Sequence, residues 1–391
     1  MRATYALLAV LLFGQTASPG VAFKLQKIDG GQSETAAFVD VNRDGRLDIV
    51  SSESWYEAPA WTRHPLRKIE FTNNYVDNFS DLPLDVDGDG FVDLVQIGYF
   101  ARRIVWMKNP GKTAGPWTEH EIDAIGPTEF AFLVDLNNDG KALELLPQFT
   151  GAAKAGLCWY EFQSGKWVKR QVAPQSFGHG IGAGDLNGDK RADILTPQGW
   201  LEAPADVRAA GDWTFHPTDW MQLKIAVGPP PGSAPAAPPG APLRVEFGYM
   251  HVLDINKDGR NDILTTMAHS FGVLWLEQKA DGTWAQHLID SKWSRSHASV
   301  LADVNGDGQI DFVTGARFMG RNVAETEPLA LYWYEFRAAS GRVEWVRHDI
   351  SVGGDAGAGL QIAAADVDND GDVDLVSGGK SGLFLMINQR R

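Results

Sequence analysis

Asp303–Asp311 reads DVNGDGQID, and close copies of this acidic nonapeptide recur along the chain. They are DVNRDGRLD from Asp40, DVDGDGFVD from Asp85, DLNNDGKAL from Asp135, DLNGDKRAD from Asp185, DINKDGRND from Asp254 and DVDNDGDVD from Asp366. Successive copies start 45, 50, 50, 69, 49 and 63 residues apart. A period near 50 with several strands per repeat marks a β-propeller. Seven repeats predict an all-β, seven-bladed propeller over residues 23–391.

The nonapeptide has the chemistry of a hard-cation loop. Oxygen side chains at positions 1, 3, 5 and 9 can converge on one ion, and glycine at position 6 permits the sharp turn. Five copies keep the full set, and Ca²⁺ is the expected cation. Their expected ligands are Asp40, Asn42, Asp44 and Asp48; Asp85, Asp87, Asp89 and Asp93; and Asp254, Asn256, Asp258 and Asp262. Asp303, Asn305, Asp307 and Asp311, and Asp366, Asp368, Asp370 and Asp374, complete the list. The third copy has Leu143 at position 9 with Glu144 one place late, and the fourth has Lys190 in place of glycine. Both are expected to bind weakly or not at all. An EF-hand needs a bidentate Glu at position 12, and none of the seven copies has one.

A second motif recurs out of phase: Trp61/His64, Trp117/His120, Trp167/Arg170, Trp213/His216, Trp284/His287 and Trp345/His348. Its repetition predicts outer-strand structural residues. The seventh copy is replaced by Phe23–Ile28, which is expected to supply the outer strand of the last blade and close the ring.

Residues 1–22 read as a secretory signal, with Arg2 ahead of the apolar run Tyr5–Phe13 and small residues up to Ala22. The run is too short to span a bilayer, so a secreted or periplasmic protein with no later membrane span is expected. The net charge of −15 disfavours nucleic-acid partners, and the single cysteine, Cys158, excludes an internal disulfide scaffold. Gly228–Pro242 (GPPPGSAPAAPPGAP) is expected to be a surface loop between the fourth and fifth blades.

Ser176–Asp185 (SFGHGIGAGD), together with the acidic loops, resembles the FG-GAP or VCBS repeats of integrin α-chain propellers. The resemblance implies the propeller fold and leaves both adhesion and catalysis open. Gln198–Glu202, Ala268–Gly272 with Trp275 and Glu277, and Thr314–Arg317 with Leu331–Glu335 look more narrowly like the propeller domain of aldos-2-ulose dehydratase. That likeness implies metal-assisted elimination of water from a keto-sugar.

Geometry points to a site as well. In such a repeat the strand before each acidic loop lines the central channel. The residue six places before each first Asp then marks the opposite rim: Glu34, Phe79, Glu129, His179, Gly248, His297 and Leu360. Loops after the second strands add Glu53, Gln198, His269 and Arg317 to that face, whereas His251 is expected to point away from the axis or to mark a local twist. Imidazole with carboxylate suits Zn²⁺ or Mn²⁺, so His179, His297 and Glu129 are the expected transition-metal ligands. In an elimination, His269 or Glu34 would act as general base and Arg317 would hold the enolate or a hydroxyl. The expected partner is a carbohydrate or another extracytoplasmic ligand. The alternative is a non-catalytic adhesion or ligand-binding module whose calcium ions only hold loops in place.

Overall fold

The computed structural model describes residues 20–390 except 74, 113–114, 125, 150–155, 221–244, 318–327 and 340–341. Most of the expected signal segment 1–22 and the whole of Gly228–Pro242 lie outside the described residues. The described residues form an all-β, propeller-like array of antiparallel four-stranded units. No helix among them is long and apolar enough to cross a membrane.

Each unit runs outward from a short inner strand. Ala37–Val39, Asp48–Ser51, Ser54–Glu57 and Thr62–Pro65 make the first, and the other units repeat that order. The chain alternates by strand: Asp48–Ser51 and Asp311–Ala316 are buried throughout, whereas the outer strand Thr118–Asp123 is mostly exposed. Apolar β-branched runs such as Asp48–Ser51 (DIVS) therefore sit between neighbouring strands and packed units, as fully buried strands do. The N-terminal strand Phe23–Asp29 pairs antiparallel with Gly382–Asn388 and is the outer strand of the last sheet.

Seven separate blades were expected, and the described residues form five separate four-stranded sheets. The fourth and fifth repeats instead share one eight-stranded sheet, because Ile181–Ala183 pairs in parallel with Tyr249–His251. The physical reason is the glycine run of Ser176–Asp185. A Cβ on Gly182 would overlap the Met250 carbonyl oxygen, and one on Gly184 would come within 2.6 Å of Val252 Cβ. Without side chains the two backbones approach closely enough to hydrogen-bond.

The acidic loops share one backbone form. Positions 4 and 6 are left-handed in every copy, as in Arg43 (φ 60°) and Gly45 (φ 85°). Asp40 Oδ1 and Oδ2 accept from the Asp44 and Gly45 amides, both at 3.0 Å, and the other copies repeat this cap at one or both sites. The position-2 side chains, from Val41 to Val367, anchor each loop in the core. The position-9 aspartates clamp it: Asp48 Oδ2 accepts from Val41 N at 3.0 Å and Oδ1 from Ala58 N at 2.9 Å.

The two irregular copies keep this form. Lys190 takes φ 70° and donates its amide to Asp185 Oδ2 at 2.9 Å. Glu144, one residue late but one methylene longer, accepts from Leu136 N at 3.0 Å and so replaces the missing position-9 carboxylate.

The outer-strand histidines build a repeated cassette. His64, His216, His287 and His348 stack on Trp55, Trp200, Trp275 and Trp333 of the adjacent strand, with ring centroids 3.9–4.2 Å apart. Their Nε2 atoms meet Glu57, Glu202, Glu277 and Glu335.

Candidate metal centre

Four repeats each contribute one side chain to a single buried cluster. Glu129 lies in Thr128–Val134, and His179 and His297 precede the inner strands Ile181–Gly184 and Ser299–Ala302. His269 stands in the turn between Asp262–Thr266 and Phe271–Gln278. Gly178 and Gly180, both left-handed at φ 102° and 119°, flank His179. A Cβ on Gly180 would come within 2.7 Å of Phe247 Cβ, so only glycine lets His179 exchange hydrogen bonds with the Phe247 backbone.

One ligand atom from each of Glu129, His179, His269 and His297 lies within 4.8 Å of every other. His179 Nε2 is 3.1 Å from both Glu129 Oε2 and His269 Nε2. His297 Nε2 is 3.7 Å from Glu129 Oε1 and has no hydrogen-bond partner, although the residue is fully buried. Carbonyl oxygens fix the tautomers, since they can only accept. His179 Nδ1 donates to Phe247 O at 2.8 Å, and His297 Nδ1 donates to Arg295 O at 3.3 Å. In the neutral rings both Nε2 lone pairs therefore turn into the cluster, the arrangement that outer partners impose on metal-binding imidazoles.

The electrostatics follow from this crowding. Burial pushes Glu129 up, but His179, and then Arg317 and His269, outweigh it and bring it down to about 2. Burial disfavours the His179 imidazolium, yet the Glu129 carboxylate overcomes this and raises its pKa. His269 falls to about 4 through burial and then the charge on His179. Burial, with Arg317 and the other two histidines, holds His297 well below the usual range. An orphaned buried nitrogen, two oriented imidazoles and an adjacent carboxylate make a group that could hold a metal ion.

Beside the cluster lies a second charged layer. Arg317 donates from Nε to Glu34 Oε2 at 3.2 Å and from Nη1 to Glu129 Oε1 at 3.4 Å. Lys380 Nζ is 3.5 Å from Glu34 Oε1. Glu34, expected as a possible base, is thus fully buried between two cations. His269, the other expected base, stands within the ligand set and is its only partly exposed member.

The remaining rim positions divide. Glu53 Oε1 accepts from Ile69 N at 2.9 Å and Gln198 Nε2 donates to Phe177 O at 3.0 Å, so both serve the backbone. Phe79, Gly248 and Leu360 are buried packing positions. Of the two expectations for His251, the first does not hold: it lines a central cavity of about 400 Å³ with Tyr249, Ser299 and Gln361, and its Nε2 lies 2.8 Å from Ser299 Oγ. His251 stands in the parallel junction, paired with Ala183, where the second expectation, a local twist, places it.

Two features escaped the sequence reading. Lys380 is one, although it follows Asp374 by six places as Arg317 follows Asp311. The other is an aromatic group from the second repeat: Tyr75, Tyr99 and Phe100, half-buried around buried Phe79. Tyr99 stacks on Phe79 at 5.2 Å and Phe100 meets Tyr99 edge-on at 5.1 Å. The Arg317 guanidinium lies 5.5 Å from the Tyr75 ring centroid and 5.9 Å from that of Phe79, which joins this group to the cluster of Glu129 and the histidines.

At the acidic loops, carboxylates of Asp85, Asp87 and Asp93, and of Asp366, Asp368 and Asp374, come within the same 4.8 Å limit. In the copies at Asp40, Asp254 and Asp303 position 3 is Asn, and Asn42 and Asn256 donate to Glu57 and Glu277 of the third strand. Burial, opposed by the backbone donors, pushes Asp48, Asp93, Asp262 and Asp374 up to about 6 and Asp311 to about 7. Carboxylates so placed fit a cation that would neutralise them. Lys108 already pairs with Asp87, and with Asp89 at 3.3 Å.

The fold and these loops define a propeller-like protein built from acidic-loop repeats. The FG-GAP-like repeat family model matches residues 254–314, which span the fifth and sixth loops. No curated protein matches the chain. Among solved structures, virginiamycin B lyase from Staphylococcus aureus is 12% identical over 93% of this chain and 99% of that chain (TM-score 0.48). Rhamnogalacturonan lyase YesW is 11% identical over 93% of this chain and 72% of its own (TM-score 0.47). The V. cholerae biofilm matrix protein Bap1 is 12% identical over 95% and 84% (TM-score 0.42). Nothing in these comparisons supports the narrower likeness to aldos-2-ulose dehydratase.

Proposed function

We propose that the chain is an extracytoplasmic, calcium-stabilised propeller that binds a carbohydrate ligand at one transition-metal ion held by Glu129, His179, His269 and His297. The observation that carries this reading is the buried, unpaired Nε2 of His297, facing Glu129 beside two further imidazoles. A nitrogen lone pair left without a donor costs about 1–3 kcal/mol, which a bound cation removes. The acidic loops support calcium, the FG-GAP-like match supports a location outside the cytoplasm, and the Phe23–Asp29 pairing supports a ring closed by its N-terminal strand.

A divalent ion at this cluster supplies Lewis-acid polarisation of a ligand carbonyl or hydroxyl. The chain's own residues do the rest. His179 and His297 are held in register by backbone carbonyls, and Arg317 fixes Glu129 while neutralising Glu34. His269 is the member a ligand can reach. Glu34 balances charge and is not available as a base.

One observation favours a second, catalytic reading, metal-assisted elimination on a keto-sugar in which Glu129, His179 and His297 alone hold the ion: the partial exposure of His269, whose imidazole, left off the ion, would be able to take a proton from an entering ligand. Calorimetric titration of Zn²⁺ or Mn²⁺ into chelator-treated protein tests the metal claim. One site should appear in the wild type and disappear in His179→Ala/His297→Ala at unchanged fold; equal binding by both would refute it. A keto-sugar screen then separates the readings, since turnover abolished by His269→Ala is expected only of the enzyme.

A further inference from the structure

The half-exposed aromatic group next to the metal cluster is unused by the function proposed so far. It comes from one repeat, the second, which contributes no metal ligand. Tyr99 and Phe100 follow the second strand Asp93–Gly98, and so occupy the loop level at which His269 and Arg317 stand. Phe79 backs Tyr99 with planes 20° apart, and the Tyr99 and Phe100 rings are roughly perpendicular at 73°. Lys380 Nζ stands 3.3 Å from the Tyr75 ring centroid and occupies that ring, so the available stacking surface is Tyr99 with Phe100. Rigid aromatic faces with one side packed give a ligand apolar contact at little entropic cost.

Charge narrows the ligand. Glu34 and Glu129 are matched by Arg317 and Lys380, and Glu246 adds one further carboxylate whose charge reaches His179. Imidazoles that ligate an ion are neutral and add nothing, so a divalent ion outweighs Glu246 and leaves the site with a surplus of positive charge inside a chain of net charge −15. Such a local reversal attracts an anion to the ion and repels cations. We propose that the ligand is an acidic sugar, a uronic-acid oligomer, with one saccharide ring on Tyr99 and Phe100 and a carboxylate at the metal cluster. The proposal rests on the metal-binding reading above and adds the ligand class.

Calorimetry on the full chain, with metal content measured beforehand, tests it. The probes are a galacturonate trimer, the neutral galactose trimer and benzoate. The galacturonate trimer should bind at one site and at least tenfold more tightly than the other two. Tyr99→Ala/Phe100→Ala should weaken it at least tenfold with metal content unchanged, and Tyr99→Phe should bind as the wild type does. Equal affinity for the neutral trimer, benzoate binding as tightly as the uronate, or an unaffected double variant would overturn the proposal. A wild-type protein that holds no transition metal would overturn the metal reading as well, and elemental analysis reads that failure before any sugar is added.

Discussion

Replacing Arg317 with methionine separates a designed charge layer from incidental packing. The side chain is 2% exposed and donates to two carboxylates, Glu34 at 3.2 Å and Glu129 at 3.4 Å. Each such charge-assisted hydrogen bond is worth about 1.5–3 kcal/mol, so both together give about 3–6 kcal/mol. Neither carboxylate is stranded outright, because Lys380 remains 3.5 Å from Glu34 and His179 remains 3.1 Å from Glu129. The expected loss is therefore the lower half of that range, about 3–4 kcal/mol. Urea unfolding followed by tryptophan fluorescence measures it. Adding Glu34→Gln removes a buried charge that Arg317 no longer serves, so the double variant should recover about 1–3 kcal/mol relative to additivity. Arg317→Met within about 1 kcal/mol of wild type, or strictly additive variants, would refute the reading of Arg317 as the counter-charge of both carboxylates.

Other perturbations probe the rest of the structure. Gly182→Ala should destabilise by about 3 kcal/mol, from overpacking against Met250 and loss of the parallel ladder, whereas Gly115→Ala, open on all sides, should stay within about 0.5 kcal/mol in the same unfolding assay. Chelation of calcium should lower the melting temperature by roughly 15 °C if the five complete loops each contribute a few kcal/mol by mass action. Lys108→Ala, which frees Asp87 and Asp89, should tighten one calcium site in a titration. Burial lowers His251 to about 4 from its ordinary 6.5, so its contribution is complete above pH 6.5 and is lost as pH falls toward 4. His251→Gln should accordingly lose about 2 kcal/mol less stability than wild type between pH 7 and pH 5, and equal losses would count against a buried neutral imidazole.

The parts of this molecule that a sequence displays are those that repeat. The nonapeptides announce the loops because position 2 must be apolar, position 6 must turn and the carboxylates must cap their own amides. Counting six places back from each first Asp found Glu129, His179 and His297, since inner strands of similar length put those positions on one rim. The features that stayed hidden break the repeat. The eight-stranded sheet depends on glycines in one repeat meeting Met250 and Val252 of the next, a contact between units that no period encodes. Glu144 restores the third loop by side-chain length and not by position. Tyr99 and Phe100 look like ordinary core aromatics until their neighbours leave them half-exposed, and Lys380 becomes meaningful only once Glu34 is seen beside it.

The central claim is that four repeats converge to hold one transition-metal ion. Elemental analysis of the protein, purified without chelators or a histidine tag, tests it most directly. The account predicts several equivalents of calcium plus about one of zinc or manganese, with the latter lost in His297→Ala while calcium is retained. Calcium alone in the wild-type protein, or a transition metal that persists in His297→Ala, would contradict it.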